Sequence, residues 1–71
     1  MFAIQRTITT PRGKQYSSYV KSRMLNTFAL TYDAKEAKRY ATAAEAQKDA
    51  TAYRKYSQFS IPETLKVVPI Q

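Results

Sequence analysis

The stretch FAIQRTITTPRGKQYSSYVK, residues 2–21, decides the fold. Its first half alternates. Phe2, Ile4 and Ile8 share one side, with Arg6 as the single interruption, while Ala3, Gln5 and Thr7 take the other. A period of two is that of a half-buried β-strand. For Arg6 the expectation is an aliphatic stem lying on the sheet and a guanidinium in water. Thr10-Pro11-Arg12-Gly13 then breaks the alternation. Proline presets the first central dihedral of a type I turn, and glycine accepts the left-handed backbone that returns the chain into a second strand. Gly13 is the only glycine in 71 residues, and it sits between two strand-like runs. The segment therefore reads as a β-hairpin, its second strand over residues 14–21. Tyr16, Ser18 and Val20 then share one face, and Gln15, Ser17 and Tyr19 the other.

Working outward, residues 22–27 show no clean period and are expected to form a loop. FALTY at 28–32 alternates again, with Phe28, Leu30 and Tyr32 together. Asp33 is placed to cap one helical turn over 34–37, after which the chain extends through 38–40. Thr42 followed by Glu45 is a capping box, the threonine oxygen taking an orphan amide and the glutamate reaching back to the cap. The spacing predicts a helix over 43–57. Ala43, Ala46, Ala50 and Tyr53 share one helical face, extended by Tyr56, and Asp49 is expected on the outward side. An alanine stripe lets the helix backbone approach the sheet closely. Pro62 holds Ile61 extended as the chain turns into a last strand over 64–68. There Leu65 and Val67 face one way, Lys66 and Val68 the other. Pro69 has no amide for a ladder, so this strand ends there or lies at an edge.

The result is an α+β class: a small antiparallel β-sheet, β-β-β-α-β, with one alanine-rich helix packed on one face and residues 1–71 as one domain. Strand order stays open. The expected core is Phe2, Ile4, Tyr16, Val20, Phe28, Leu30, Ala46, Ala50, Tyr53, Leu65 and Val67. Aromatic rings supply much of its volume, since six tyrosines and three phenylalanines stand beside only three leucines.

Composition narrows the chemistry. With no cysteine and no histidine, disulfides, thiol chemistry, cysteine-ligated zinc and imidazole acid–base work are all removed. One glycine leaves no phosphate-cradling loop. The five acidic residues, Asp33, Glu36, Glu45, Asp49 and Glu63, have no spacing that converges on a metal ion. The expectation is no enzyme activity, no metal and no cofactor. MFAIQRTITT lacks the apolar run of a signal peptide, and no stretch is long enough for a membrane span. Without disulfides, the chain is expected inside the cell.

The net charge of +7 favours anionic partners. A hairpin carrying Arg12 and Lys14 at its tip and Lys21 and Arg23 at the opposite end, with Tyr19 between, is the candidate surface for nucleic acid or another partner. Tyrosine on an open sheet face stacks a base while cations hold phosphates; equally, such a ring covers its cross-strand neighbours. The sheet face away from the helix is expected to carry Ala3, Gln5, Thr7, Ser17, Tyr19, Ala29, Thr31, Val68 and Ile70. That face, or an edge strand ending in Val68 and Ile70, is also where a protein partner or a second copy would pair.

Within residues 28–50, Leu30-Thr31, Tyr40 and Thr42-Ala43-Ala44-Glu45-Ala46, with LKVVPI at 65–70, resemble a pattern of small phage and prophage proteins of uncharacterised function. The resemblance implies an accessory protein in the cytoplasm of a bacterial host, binding a host or phage macromolecule. The expected function is a non-enzymatic macromolecule-binding module acting by protein–protein interaction, with nucleic-acid binding through the basic hairpin at 12–23 and Tyr19 stacking as the alternative.

Overall fold

The structure, a computed structural model, describes residues 1–25, 27–56 and 63–70, Tyr56 by its backbone alone. Strands β1 (Phe2–Thr9), β2 (Gln15–Met24) and β3 (Thr27–Thr31) are followed by a 3-10 turn (Ala34–Glu36), helix α1 (Ala43–Tyr56) and strand β4 (Glu63–Pro69). The strands form one antiparallel sheet in the order β3-β2-β1-β4. The first strand is thus internal, and the last closes against it. The expected turn at Ile61 and Pro62 lies outside the described residues. Pro69 does fall within β4, an edge strand that tolerates its missing amide.

Local chemistry sets most element ends. Gly13 has φ +86°, its amide donates to Thr10 O at 2.9 Å, and Lys14 N donates to Thr10 Oγ1 at 3.1 Å. Asp33 Oδ1 accepts from Lys35 N at 2.9 Å, capping the 3-10 turn. Thr42 Oγ1 accepts from Glu45 N at 3.2 Å at the start of α1. Alternation then assigns the faces. Phe2, Ile4 and Ile8 lie on the helix side with Val67, Leu65 and Glu63 across the β1–β4 ladder.

Residues 22–27 are not a loop. β2 runs on to Met24, which pairs with Thr27. Leu25 has φ +56°, a left-handed conformation that a non-glycine residue rarely adopts. The missing period has a cause: Val20 pairs with Leu30 and Ser22 with Ala29, so Lys21 is one residue too many. This bulge resets the alternation and carries Ser22 and Met24 to the uncovered face and Arg23 to the helix side.

At the same place β2 leaves β1. Their ladder extends only from Thr9↔Gln15 to Gln5↔Tyr19. Beyond it the segment 38–40 takes the vacated position. Lys38 N donates to Val20 O at 2.8 Å, and Phe2 and Tyr40 exchange both backbone bonds at 2.8 Å each.

The buried cluster is Ile4, Val20, Tyr40, Ala46 and Ala50, with Phe2, Phe28, Leu30, Leu65 and Val67 packed against it. Tyr53 is buried edge-on to Phe28, ring centroids 5.1 Å apart. Apart from Tyr16, every expected core residue is buried or half-buried. Tyr16 is 48% exposed because it lies opposite Ile8 at the turn end of β2, whereas α1 lies chiefly against β1 and β4. Ala3 is fully buried although it belongs to the uncovered side, where Val68 stands directly across the ladder.

Arg6 does not reach for water either. Its Nε donates to Glu63 Oε2, and both side chains are only 12% exposed. Glu63 Oε2 also lies 3.5 Å from Tyr53 Oη. A charged residue on the apolar stripe is accommodated because the last strand brings a carboxylate to it.

The two left-handed positions are separable by mutation. Nothing lies within 4 Å of a Cβ built on Gly13, so Gly13→Val acts through backbone strain alone. It is expected to cost about 1–2 kcal/mol in urea denaturation. Leu25→Gly removes such strain and gives up almost no burial, since Leu25 is 84% exposed; its unfolding midpoint should hold or rise. A Gly13→Val protein as stable as the wild type would contradict the turn assignment. Ala50, 3% exposed under the sheet, should resist enlargement: Ala50→Leu is expected to cost about 1–3 kcal/mol by overpacking.

Candidate functional site

The five residues proposed from sequence are not brought together. Arg12 and Lys14 are exposed at the β1–β2 turn. Tyr19 is half-buried mid-sheet on the uncovered face, between Gln5 of β1 and Thr31 of β3. Lys21, the bulge residue, is exposed. Arg23 sits on the helix side, which removes it from a shared surface with Tyr19. Simple alternation would have left it on the uncovered face with Tyr19; the extra residue at Lys21 reverses its side.

Arg23 belongs instead to a hub around Asp49 of α1. Arg23 Nη1 donates to Asp49 Oδ1 at 2.8 Å, Tyr40 Oη donates to Asp49 Oδ2 at 2.6 Å, and Lys38 Nζ lies 3.4 Å from the same oxygen. The Asp49 side chain is 14% exposed, so it does not point outward as its helical position suggested. Arg23 also covers the Phe28 ring at 5.4 Å, and its Nε donates to Leu25 O at 2.8 Å. Lys38 covers the Tyr40 ring at 5.0 Å. Burial alone would raise the Asp49 pKa. Hydrogen bonds from Tyr40 and Arg23, with the Lys38 charge, outweigh it and hold the carboxyl below the usual range. Burial, followed by the Asp49 hydrogen bond and charge, pushes the Tyr40 phenol well above its ordinary value of 10.0.

The uncovered face has a different character. Thr7, Thr9, Gln15, Ser17, Ser22, Thr27 and Thr31 supply hydroxyls and amides, and Thr7 Oγ1 lies 3.2 Å from Ser17 Oγ. Lys66 of β4 pairs with Gln5, which pairs with Tyr19, so one row reads Thr31, Tyr19, Gln5, Lys66. At strand spacings of about 4.8 Å, Lys66 and Tyr19 are two strands and roughly 10 Å apart. Continuing the Phe2↔Tyr40 register sets Arg39 opposite Ala3 on this face, one row from Tyr19. Among the described strand residues of the face none is acidic. Glu36 reaches it only at the β3 margin, where Thr31 Oγ1 donates to Glu36 Oε2 at 3.1 Å.

Sequence reasoning assigned Lys66 to the side away from Leu65 but did not select it, and the parity of β4 was the available signal. Arg39 carried no such signal, since its place depends on the Phe2–Tyr40 bridge. At the far end of the same face, Ser22, Met24, Leu25, Thr27 and Ala29 line a shallow apolar recess, with Met24 78% exposed. Among the described residues, no three potential metal-ligating side chains converge, and no helix is long and apolar enough to cross a membrane. Comparison with protein-family models, with curated proteins and with solved structures finds no match.

The hub gives stability a defined pH dependence. A depressed Asp49 contributes stability fully above the ordinary carboxylate range and loses it as pH falls through the lowered folded value. A raised Tyr40 contributes below about pH 10 and loses it as pH climbs beyond. Asp49→Ala leaves the buried phenol without its acceptor and is expected to cost about 1–3 kcal/mol at neutral pH. Its penalty against wild type should shrink at acid pH in parallel melts. A penalty independent of pH would mean that the Asp49 charge contributes nothing.

Proposed function

We propose that this chain is a non-enzymatic binding module whose uncovered sheet face engages a polyanionic macromolecule. The observation that supports it is the sidedness of charge. Glu63 and Asp49 are turned to the helix side, tied to Arg6 and to Arg23 and Lys38, so these carboxylates are neutralised internally. The opposite face keeps Lys66 and a ladder of hydroxyl and amide groups without an acidic strand residue. With +7 overall, the field outside that face attracts anions. The bacterial, phage-derived setting that residues 28–50 resemble is part of the proposal, the partner then being a host or phage macromolecule.

A second reading, docking to another protein, is favoured by the β2–β3 tip. Met24 and Leu25 are 78% and 84% exposed, and Leu25 is held in a strained conformation of the kind that collects at binding sites. Since β2 and β3 contain no acidic residue, the complementary partner would have an apolar pocket with an acidic rim.

Retention on immobilised heparin separates a localised polyanion surface from mere net charge. Lys21→Glu/Lys66→Glu and Lys48→Glu/Arg54→Glu change the net charge equally, the second pair on the exposed side of α1. The first double variant is expected to elute at clearly lower salt than the second. Equal losses would sink the sheet-face reading.

A further inference from the structure

We infer that the polyanion is a single-stranded nucleic acid, with one base stacked on Tyr19 and the backbone running toward Lys66. This rests on the polyanion reading of the same face and adds the chemistry that separates nucleic acid from an acidic protein. Tyr19 lies in the middle of the sheet on its uncovered side, half-exposed, with Thr31 and Gln5 as its direct neighbours across the strands. A ring so placed offers a π surface to any base, and stacking of this kind tolerates sequence. The row continues through Gln5 to Lys66, a cation two strands away, and Lys21 stands exposed two residues along β2. Lys66, two strands across the sheet, lies where a phosphate of a strand stacked on the ring would pass.

The surrounding groups fit the same ligand. Thr7 and Ser17 hydroxyls meet at 3.2 Å, and Thr64 lies across from Thr7 on β4. These donors and acceptors suit base edges and sugars, whereas an acidic peptide would want cations at that row. A duplex is disfavoured because its bases are stacked inside, out of reach of a ring on a broad sheet surface. Glu36, at the β3 margin beside Thr31, limits the anionic track on that side and directs it over β1 and β4.

The test uses fluorescence anisotropy at ~50 mM salt, with labelled 12-nucleotide oligothymidine and oligouridine, the corresponding duplexes, and polyglutamate of similar charge. Single strands are expected to bind at micromolar protein, several-fold tighter than duplex or polyglutamate, with affinity falling steeply as salt rises. Tyr19→Ala should weaken single-strand binding roughly 5- to 100-fold while leaving heparin retention intact. Tyr19→Phe should stay within about threefold of wild type, because a stack needs the ring and not the hydroxyl. Glu36→Gln should tighten binding. If Tyr19→Ala does not fold, amide shifts of the wild type on adding oligothymidine decide: changes at Gln5, Tyr19 and Lys66 support the proposal, and changes confined to α1 overturn it. Polyglutamate or duplex binding as tight as single strands, or an unaffected Tyr19→Ala, overturns the nucleic-acid assignment alone. Absence of both heparin retention and oligonucleotide binding overturns the polyanion reading with it.

Discussion

Three backbone hydrogen bonds hold the segment 38–40 between strands that have parted: Lys38 N to Val20 O, and the reciprocal pair between Phe2 and Tyr40. Nearly everything distinctive in the fold depends on them. A sheet whose first two strands diverge would leave internal amides and carbonyls unpaired, at a cost comparable to several lost hydrogen bonds. The inserted segment satisfies them, and in doing so delivers Tyr40 into the core on one side and Arg39 to the uncovered face on the other. The divergence coincides with the bulge at Lys21, which turns Arg23 toward α1. Bulge, insertion and the Asp49 hub are therefore parts of one arrangement: β2 bends away, the linker fills the gap, and the helix carboxylate secures both by binding Arg23, Tyr40 and Lys38.

Two charged positions, one in the sheet and one on the helix, illustrate how ion pairs act here. Arg6 interrupts an otherwise apolar stripe, and Glu63 meets it from the far end of the chain. Asp49 is similarly enclosed by cations from β2 and the linker. Such partly buried pairs contribute little net stability compared with apolar residues of equal volume, but removing one member leaves an uncompensated charge. The Arg6–Glu63 pair ties β4 to β1, and the Asp49 pairs tie α1 to β2 and to the linker. Both pairs also hold their carboxylates, Glu63 and Asp49, on the covered side of the sheet.

The elements whose ends are fixed by local chemistry were legible in the sequence. Pro11 and Gly13 located the hairpin, Asp33 the short turn and Thr42 the helix start, while alternation assigned Ile4, Val20, Leu65 and Val67 to the core. What local signals could not carry was misread. A bulge shows itself only as a lapse in period, so residues 22–27 looked like a loop and the side taken by Arg23 was not legible. Tyr40 and Ala37 are buried by a segment whose partners lie far away in sequence, and Asp49 looked outward because its ligands come from other elements. Of the candidate surface, the position of Tyr19 followed from parity. The neighbours that make it a site did not, because they depend on strand order.

That order also bears on how the chain folds. β1 forms its ladder with β2 across a four-residue turn, yet its other edge must wait for β4, and the Arg6–Glu63 pair spans 57 residues. Closing so long a loop is slow relative to forming neighbouring hairpins. The β1–β2–β3 meander should therefore precede β4, and during that interval the strand destined for the middle of the sheet is an open edge. Phe2, Ile4 and Ile8 alternate along it, a pattern suited to capture by another chain. In such an intermediate Arg6 has not yet met Glu63, and it is a charge on the vulnerable edge until the last strand arrives. The residue that looks like a defect in the stripe then acts as a gatekeeper against misassembly.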